Sequence, residues 1–517
     1  MLEAQPDSVK VWVALADKGP DFRPPAPTAP PASRRAYENR SLYVPYLDSL
    51  AHAGFAVAAA LKWQNRVSGN IETSRLPALR ALPFVTAVEP MLRRRRRDAV
   101  PPPTPLPAWP LAKRAVGIDY GAETALFDSL GIARLHRWMD GNDMRPGAGM
   151  RVAVIDADFH LGSAIYTDLK TRIRDQWDFA GHRPKAVDDS LEDSHGAECL
   201  SLIGGNAPGT LVGAAPAAEF LLYRAEINDS ELYAEEDYVA AAIERAVDSG
   251  AQVISISLGY RWDFDLGEPD IPYAQLDGRT RPASLAALGA ARRNVVVSVA
   301  MGNEAESHPE GPNLGTPADA DSILSLGIVN SDRVRCGYSS IGPAADGRIK
   351  PEIVSMGLIG GCAVAVAYPD TASPHAVAYS GTSFATPVAA AAAALLRQSR
   401  PEASAEQIRQ ALMRTADHAD RPDNQTGYGV IDVAAAALSL GVPLKIELIE
   451  KGHAQFYHPG GEGPIFLEWD PHRPQPPLEL TDLSGRRVPI SVKLSGSILA
   501  LRPQRTMSTG IYIARVP

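Results

Sequence analysis

Four short apolar runs set the limits of what this chain can fold into: "RVAVIDA" (151–157), "AEFLLYRA" (218–225), "AQVISISLG" (251–259) and "VVVSVAMGN" (295–303). Each is rich in Val, Ile, Leu and Ala, is strand-length, and lacks strict polar alternation. Strands with one solvated face alternate; strands covered on both faces read as nearly continuous apolar runs. Helical patterns lie between them: "GAECLSLIGG" (196–205), "EEDYVAAAIERAVDSG" (235–250) with Gly250 placed to end the helix, and "SLAALGAARRN" (284–294). Strand–helix–strand repeats of this kind predict an α/β, doubly wound, mostly parallel sheet over about 115–441. In such sheets chemistry gathers at the C-terminal ends of the strands.

The flanks differ in composition. Residues 8–92 read as a small α+β unit of β-α-β-β-α-β order: strands at 9–15 and 84–91, helices at 43–54 and 72–82, and one or two strands between the helices. Residues 93–114 contain "RRRRR" and the proline-rich "VPPPTPLPAWP", and read as a solvated linker. Residues 444–517 hold short alternating runs ("KIELIEKG", "GPIFLEW", "SILALRP", "GIYIARV") separated by Gly, Pro and Asp, and predict a C-terminal β-sandwich.

Bulk properties exclude some functions. With a net charge of −9, a basic surface for nucleic acid is not the default expectation. No apolar run reaches the roughly 18 residues of a membrane span. The three cysteines, Cys199, Cys336 and Cys362, show neither a disulfide framework nor a zinc spacing, and whether any two pair is left open. "MLEAQPDSVK" lacks the basic start and apolar core of a secretory leader.

Polar residues fall where the sheet predicts chemistry. Asp156 ends the first buried run, His195 opens a helix in "EDSHGAECL", Asn303 follows "VVVSVAMG", and Ser383 opens an alanine-rich helix in "YSGTSFATPVAAAAAALL". Taken singly, each has a plain reading as a cap or turn residue. Taken together they form a set that acyl transfer needs. A serine hydroxyl needs a base to take its proton, a histidine near neutral pKa supplies one, and a carboxylate fixes the imidazole. An asparagine amide and a backbone N–H at a helix start would hold the developing oxyanion.

That order and its context resemble the subtilisin-like serine peptidases. The matching stretches are "VAVIDADF", "DSHGAECLSLIGG", "LVGAAPAAEFLLYRA", "ISISLGY", "VVVSVAMGNE", "YSSIGPAADGRIKPEIVSMG" and "YSGTSFATPVAAAAAALL", spanning roughly 150–435. The resemblance implies a serine endopeptidase with Asp156, His195 and Ser383 as the triad and Asn303 at the oxyanion. It implies that Ser257, Leu258 and Gly259 pair with an extended polypeptide substrate, and that Ala300, Met301 and Gly302 wall the pocket for the residue before the cut. Two departures stand out. Asp158 replaces a usual glycine and is expected to point to solvent; Met301 replaces a usual small residue. Asp158, His160, Asp193 and His375 lie near the motifs but off the matching positions.

The ends carry resemblances too. "VKVWVALADKG" and "LPFVTAVEP" look like the N-terminal inhibitory propeptide of Bacteroidota-type members, and "LELTDLSGRRV…GIYIARV" looks like a type IX secretion sorting domain. They imply an exported or cell-surface zymogen that partners its own propeptide and the secretion machinery, with a leader outside this numbering; the alternative is a cytoplasmic peptidase. The chemistry requires no cofactor. Calcium often accompanies the family, but no acidic loop here has clear ligand spacing. The competing reading is a catalytically inactive subtilisin-like binding or surface-display module.

Overall fold

The computed structural model describes residues 8–91, 118–188, 194–227, 232–264, 269–368 and 373–444, and the backbone of further strands between 446 and 515. The basic run and the proline-rich linker lie outside the described residues.

The N-terminal unit contains β1 (Ser8–Leu15), α1 (Pro31–Glu38), α2 (Val44–His52), β2 (Ala56–Leu61), β3 (Arg66–Glu72), α3 (Leu76–Arg80) and β4 (Val85–Met91). The strands form an antiparallel sheet in the order β2-β3-β1-β4. Alternate residues of β1 and β3, among them Val11, Val13, Val67 and Ile71, meet Leu50 and Leu79 from the helices in one core. Helix α1 is an addition to the expected order. Pro31 sits at its first turn, where a missing N–H costs nothing, and the surrounding prolines hide it from a composition reading.

The central domain opens with α4 (Thr124–Ser129) and α5 (Ile132–Asp140). It continues as β5 (Arg151–Asp156), β6 (Ile173–Asp178), α6 (His195–Gly204), a ribbon of β7 (Asn206–Ala207) and β8 (Leu211–Val212), β9 (Glu219–Arg224), α7 (Tyr233–Asp248) and β10 (Val253–Ile256). Then come α8 (Pro282–Ala291), β11 (Val296–Ala300), β12 (Leu324–Val329), β13 (Ile353–Met356), a ribbon of β14 (Ala363–Ala367) and β15 (Ala376–Ser380), α9 (Thr382–Ser399), α10 (Ala405–Arg414) and α11 (Val433–Ser439).

Seven strands form one sheet in the order β13-β12-β11-β10-β5-β9-β6, with every pairing parallel. Both faces are covered, as the continuous apolar runs require. Val152 and Val154 of β5 face a core shared with α6 and α9, while Ala153 and Ile155 face one shared with α7 and α8. Helix α9 packs across β10 to β13 with Thr382 through Arg397 buried, and its run of alanines lets it lie close to the sheet. The winding reverses between β5 and β10, so the crevice predicted for such sheets opens at the ends of these two strands.

Beyond the central domain, β16 (Ile446–Glu447), β17 (His453–Gly461), β18 (Ile465–Glu468), β19 (Glu479–Asp482), β20 (Arg487–Val488), β21 (Ile490–Ser495), β22 (Ile498–Pro503) and β23 (Met507–Arg515) form two four-stranded sheets. Cys336 and Cys362 are joined by a disulfide that ties the segment after β12 to the turn before β14; Cys199 is a buried free thiol. Among the described residues, no helix is long and apolar enough to cross a membrane.

Candidate active site

Asp156 is the last residue of β5 and is fully buried. Its Oδ1 accepts the Ala157 N–H at 2.8 Å and faces His195 Nδ1 at 2.5 Å. Its Oδ2 has no hydrogen-bond partner among the described residues. His195 is the first residue of α6. The glycine after it permits this approach: a Cβ on Gly196 would lie 2.8 Å from the Asp158 carbonyl oxygen and 3.0 Å from the Asp156 Cβ. The Ala197 N–H then donates to the same carbonyl, fixing the helix start against the end of β5.

Burial alone would lower the His195 pKa, but Asp156 outweighs it, aided by Glu198 and Glu226, and the net shift is upward. A charged imidazolium is thus favoured beside the carboxylate.

Ser383 is the second residue of α9 and is 8% exposed. Its Oγ lies 3.4 Å from the Ser257 carbonyl oxygen. The next side chain, Phe384, places its ring 5.7 Å from the His195 ring. Four residues on stands Pro387, inside the helix. A proline has no N–H, so the Ser383 carbonyl has no intrahelical donor. Two other elements supply donors instead: Ser257 Oγ at 2.8 Å, from the end of β10, and Cys199 Sγ at 3.5 Å, from α6. The backbone of the serine is therefore held from outside its own helix.

Asn303 follows β11 after Gly302. Gly302 has φ +109°, and a Cβ there would sit 2.2 Å from Glu304 Oε2, so only glycine fits. Asn303 Oδ1 accepts from the Thr382 N–H at 2.9 Å and the Thr382 hydroxyl at 3.2 Å. The carboxamide is thereby oriented with its oxygen spent and its Nδ2 hydrogens available. Thr382 Oγ1 also lies 3.2 Å from the Gly302 nitrogen and carbonyl oxygen, tying the two segments together.

The remaining predicted residues fall around this centre. Ser257, Leu258 and Gly259 leave the end of β10; Gly259 is exposed, with only the Thr316 carbonyl near a would-be Cβ, at 3.9 Å. Ala300 ends β11, and Met301 turns its side chain wholly into the core shared with α7 and α8. Glu304 lies over Gly302, with Ser340 Oγ donating to it at 2.8 Å; burial pushes its carboxyl up, against the pull of Ser340.

Asp158 departs from expectation. It does not point to solvent but is fully buried, pairing with Arg224 at the end of β9. Arg224 also reaches Asp178 at 3.2 Å, and Asp178 pairs with Arg183 at 2.7 Å. A charge so placed needs a partner, and one arrives from a strand 66 residues away. His160 is half-buried and His375 exposed, while Asp193 lies outside the described residues. Sequence reasoning missed Cys199. The signal was its spacing: four residues after His195 on a helix puts both on one face.

Asp156, His195 and Cys199 form the one cluster of three or more acidic, His or Cys side chains among the described residues that is close enough to hold an ion. It does not fit calcium, which takes six to eight oxygen ligands. The facing Asp156 and His195 atoms are already engaged with each other.

A buried carboxylate, an imidazole facing it, a hydroxyl at a helix start and an oriented carboxamide thus converge where β5 and β10 end. The chain is similar in sequence to known proteins. Subtilisin BL from Lederbergia lenta is 30% identical over 306 residues, covering 59% of this chain and 97% of its own length. Subtilisin NAT from Bacillus subtilis subsp. natto is 30% identical over 295 residues; the match spans 56% of this chain and 66% of that protein. Among solved structures, MycP1 with its N-terminal propeptide removed aligns with a TM-score of 0.47 and 24% identity, over 60% of this chain and 96% of that one. The description of the subtilase family matches residues 147–429, more than half of the chain, and the chain belongs to that family.

Proposed function

We propose that the chain is a serine endopeptidase made as a zymogen. The observation that carries this reading is the Asp156–His195 contact beside a serine whose backbone is held by two other elements. In the reaction, Ser383 Oγ attacks the scissile carbonyl carbon while His195 Nε2 takes the hydroxyl proton. Asp156 holds the imidazole through Nδ1 and favours its charged form. Asn303 Nδ2 and the backbone N–H of Ser383 donate to the oxyanion. The C–N bond breaks as His195 returns the proton to the leaving amine, and water then releases the acyl group by the same route. Ser257 to Gly259 would pair with the substrate backbone, and Ala300, Gly302 and the backbone of Met301, whose side chain is turned into the core, would wall the pocket before the cut. Hydrolysis of casein by the refolded chain, wild type against Ser383→Ala, tests this. Loss of activity in the variant alone is expected. No activity in either once residues 8–92 are removed would favour the inactive binding module.

The zymogen reading rests on how residues 8–92 dock. The turn between β2 and β3 caps α7: Glu244 accepts the N–H groups of Lys62 and Trp63 at 2.9 and 3.0 Å. Lys10 Nζ donates to the Tyr238 hydroxyl at 2.7 Å, and Gln64 to the Pro282 carbonyl at 2.9 Å. Arg293 bonds Glu38 and Asn39 and lies over the Trp63 ring at 3.9 Å. We read this unit as a propeptide that inhibits until the 93–114 linker is cut. The fragment should appear on refolding of the wild type and be absent from Ser383→Ala. The end sequences extend the proposal to an exported protein of a Bacteroidota-type branch whose residues 444–517 are a type IX sorting domain. Export of a reporter fused to those residues checks it.

A further inference from the structure

A small pocket lies away from the site, between α4 and the turn joining β13 to β14. Its walls include Leu126, Met356, Leu358, Ile359, Ala363 and Val364, and one polar side chain, Glu123. Its volume is about 30 Å³, room for roughly two or three water-sized groups. Glu123 is 1% exposed, and its Oε2 is buried with no hydrogen-bond partner among the described residues. Burial alone acts on this carboxyl, pushing it up to about 8; among the described residues no cation offsets it. A carboxyl in apolar surroundings without a donor is costly, and the cost falls when a complementary group arrives.

The pocket narrows what that group is. At neutral pH Glu123 carries a proton, and its O–H could serve a pure acceptor; only a donor serves the carboxyl oxygens, and only a cationic one also makes up for the proton lost. A positively charged donor satisfies the hydrogen bond and the charge together. The walls favour a short apolar stem, and the pocket takes in only the ammonium and that stem, so the rest of a longer ligand would lie outside it. We propose that this pocket binds a small primary ammonium group, its N–H donated to Glu123 and its stem against Leu126, Met356 and Ile359. On binding at neutral pH, the proton that Glu123 carries passes to solvent. Ala363 and Val364 of the wall pair with Ser380 and Tyr379 on β15, the strand that runs into α9 and Ser383, so occupancy bears on the strand that delivers the hydroxyl. The ammonium has two sources: a free amine, or the α-ammonium created by a cut in the 93–114 linker. The second source rests on the zymogen reading; the pocket chemistry does not.

The test uses the full chain carrying Ser383→Ala, which stays uncut, titrated with ethylammonium chloride against sodium chloride at equal ionic strength. Calorimetry in two buffers of different ionisation heat should show saturable binding with proton release at pH 7. Adding Glu123→Gln, a near-isosteric change of a group already held neutral, should weaken binding at least tenfold. Ala363→Leu, which fills the pocket and keeps the carboxyl, should abolish it. Equal binding in Glu123→Gln, or no saturable binding by an uncut chain with native near-UV circular dichroism, overturns the proposal. In wild-type chain cut in the linker, loss of ethylammonium binding that returns on acetylation of the new α-amine identifies the chain itself as the source. Unchanged binding identifies free amines.

Discussion

The surroundings of Ser383, the proposed nucleophile, and the face of α7 beneath the N-terminal unit are both buried, yet they treat polar atoms in opposite ways. Around Ser383, the proline-freed carbonyl has two donors, and Thr382 ties Asn303 and Gly302 into one piece. Of the buried side-chain atoms described there, only Asp156 Oδ2 lacks a partner among the described residues. Beneath the N-terminal unit, Nε and Nη2 of Arg66 and the ring nitrogens of Trp12 and Trp63 lack one. Satisfied groups hold a fixed geometry. Unsatisfied ones favour rehydration, which suits the proposed reading of this unit as one that leaves.

The largest effect that would break this contrast is at the nucleophile. Ser383→Ala should lower kcat on the order of a million-fold, the magnitude known for subtilisin itself. Asn303→Ala should cost roughly 10²- to 10³-fold in kcat with little change in KM, again the size seen in a subtilisin. Single-turnover kinetics separate this from lost binding. At the docking face, Glu244→Ala removes the acceptor for two N–H groups. The isolated N-terminal unit should then inhibit roughly 10- to 100-fold less well, matching about 1.5–3 kcal/mol for hydrogen bonds to a charged group. Ser257→Ala leaves the Ser383 carbonyl to a thiol alone, and denaturant melts should show a loss of about 1–3 kcal/mol.

Two pH profiles sharpen the comparison. Burial raises Asp237, which faces Arg66, Lys10 and Glu236, to about 7, and raises Glu244, which faces Lys62 and Lys18, to about 7. Exposed carboxyls titrate near 4. Docking therefore takes up protons: affinity is fullest below about 4 and is lost as pH rises through 7. Inhibition constants of the isolated unit between pH 5 and 8 should weaken upward, and a flat profile would remove these groups from the interface energetics. At the site the sign concerns the base. His195 acts only when neutral and its pKa is raised, so kcat/KM should climb with pH through a limb above the ordinary 6.5. Glu198→Gln should move that limb down.

The sheet was readable because burial on both faces leaves a signal within each strand. β5, β9, β10 and β11 fall within a few residues of the apolar runs. β6 ("IRDQWD") was not, because an edge strand needs no apolar run, and β13 is only four residues long. Asp156, His195, Asn303 and Ser383 could be picked out because each ends or begins a readable element. Asp158 was misread because its partner, Arg224, is adjacent in space and not in sequence. The Cys336–Cys362 bond was invisible for the same reason, since 26 residues of spacing specify no pairing.

Pro387 has a consequence for assembly. A helix with an unbroken ladder could present a serine correctly as soon as it formed. This one cannot: it borrows a hydroxyl from the end of β10 and a thiol from α6. Partly folded chains, with the sheet formed but α6 not yet home, would carry a serine whose backbone is free to wander. On the proposed function, proteolytic competence is then a late readout of correct construction, and a peptidase that is harmless until it is finished spares its own unfinished copies.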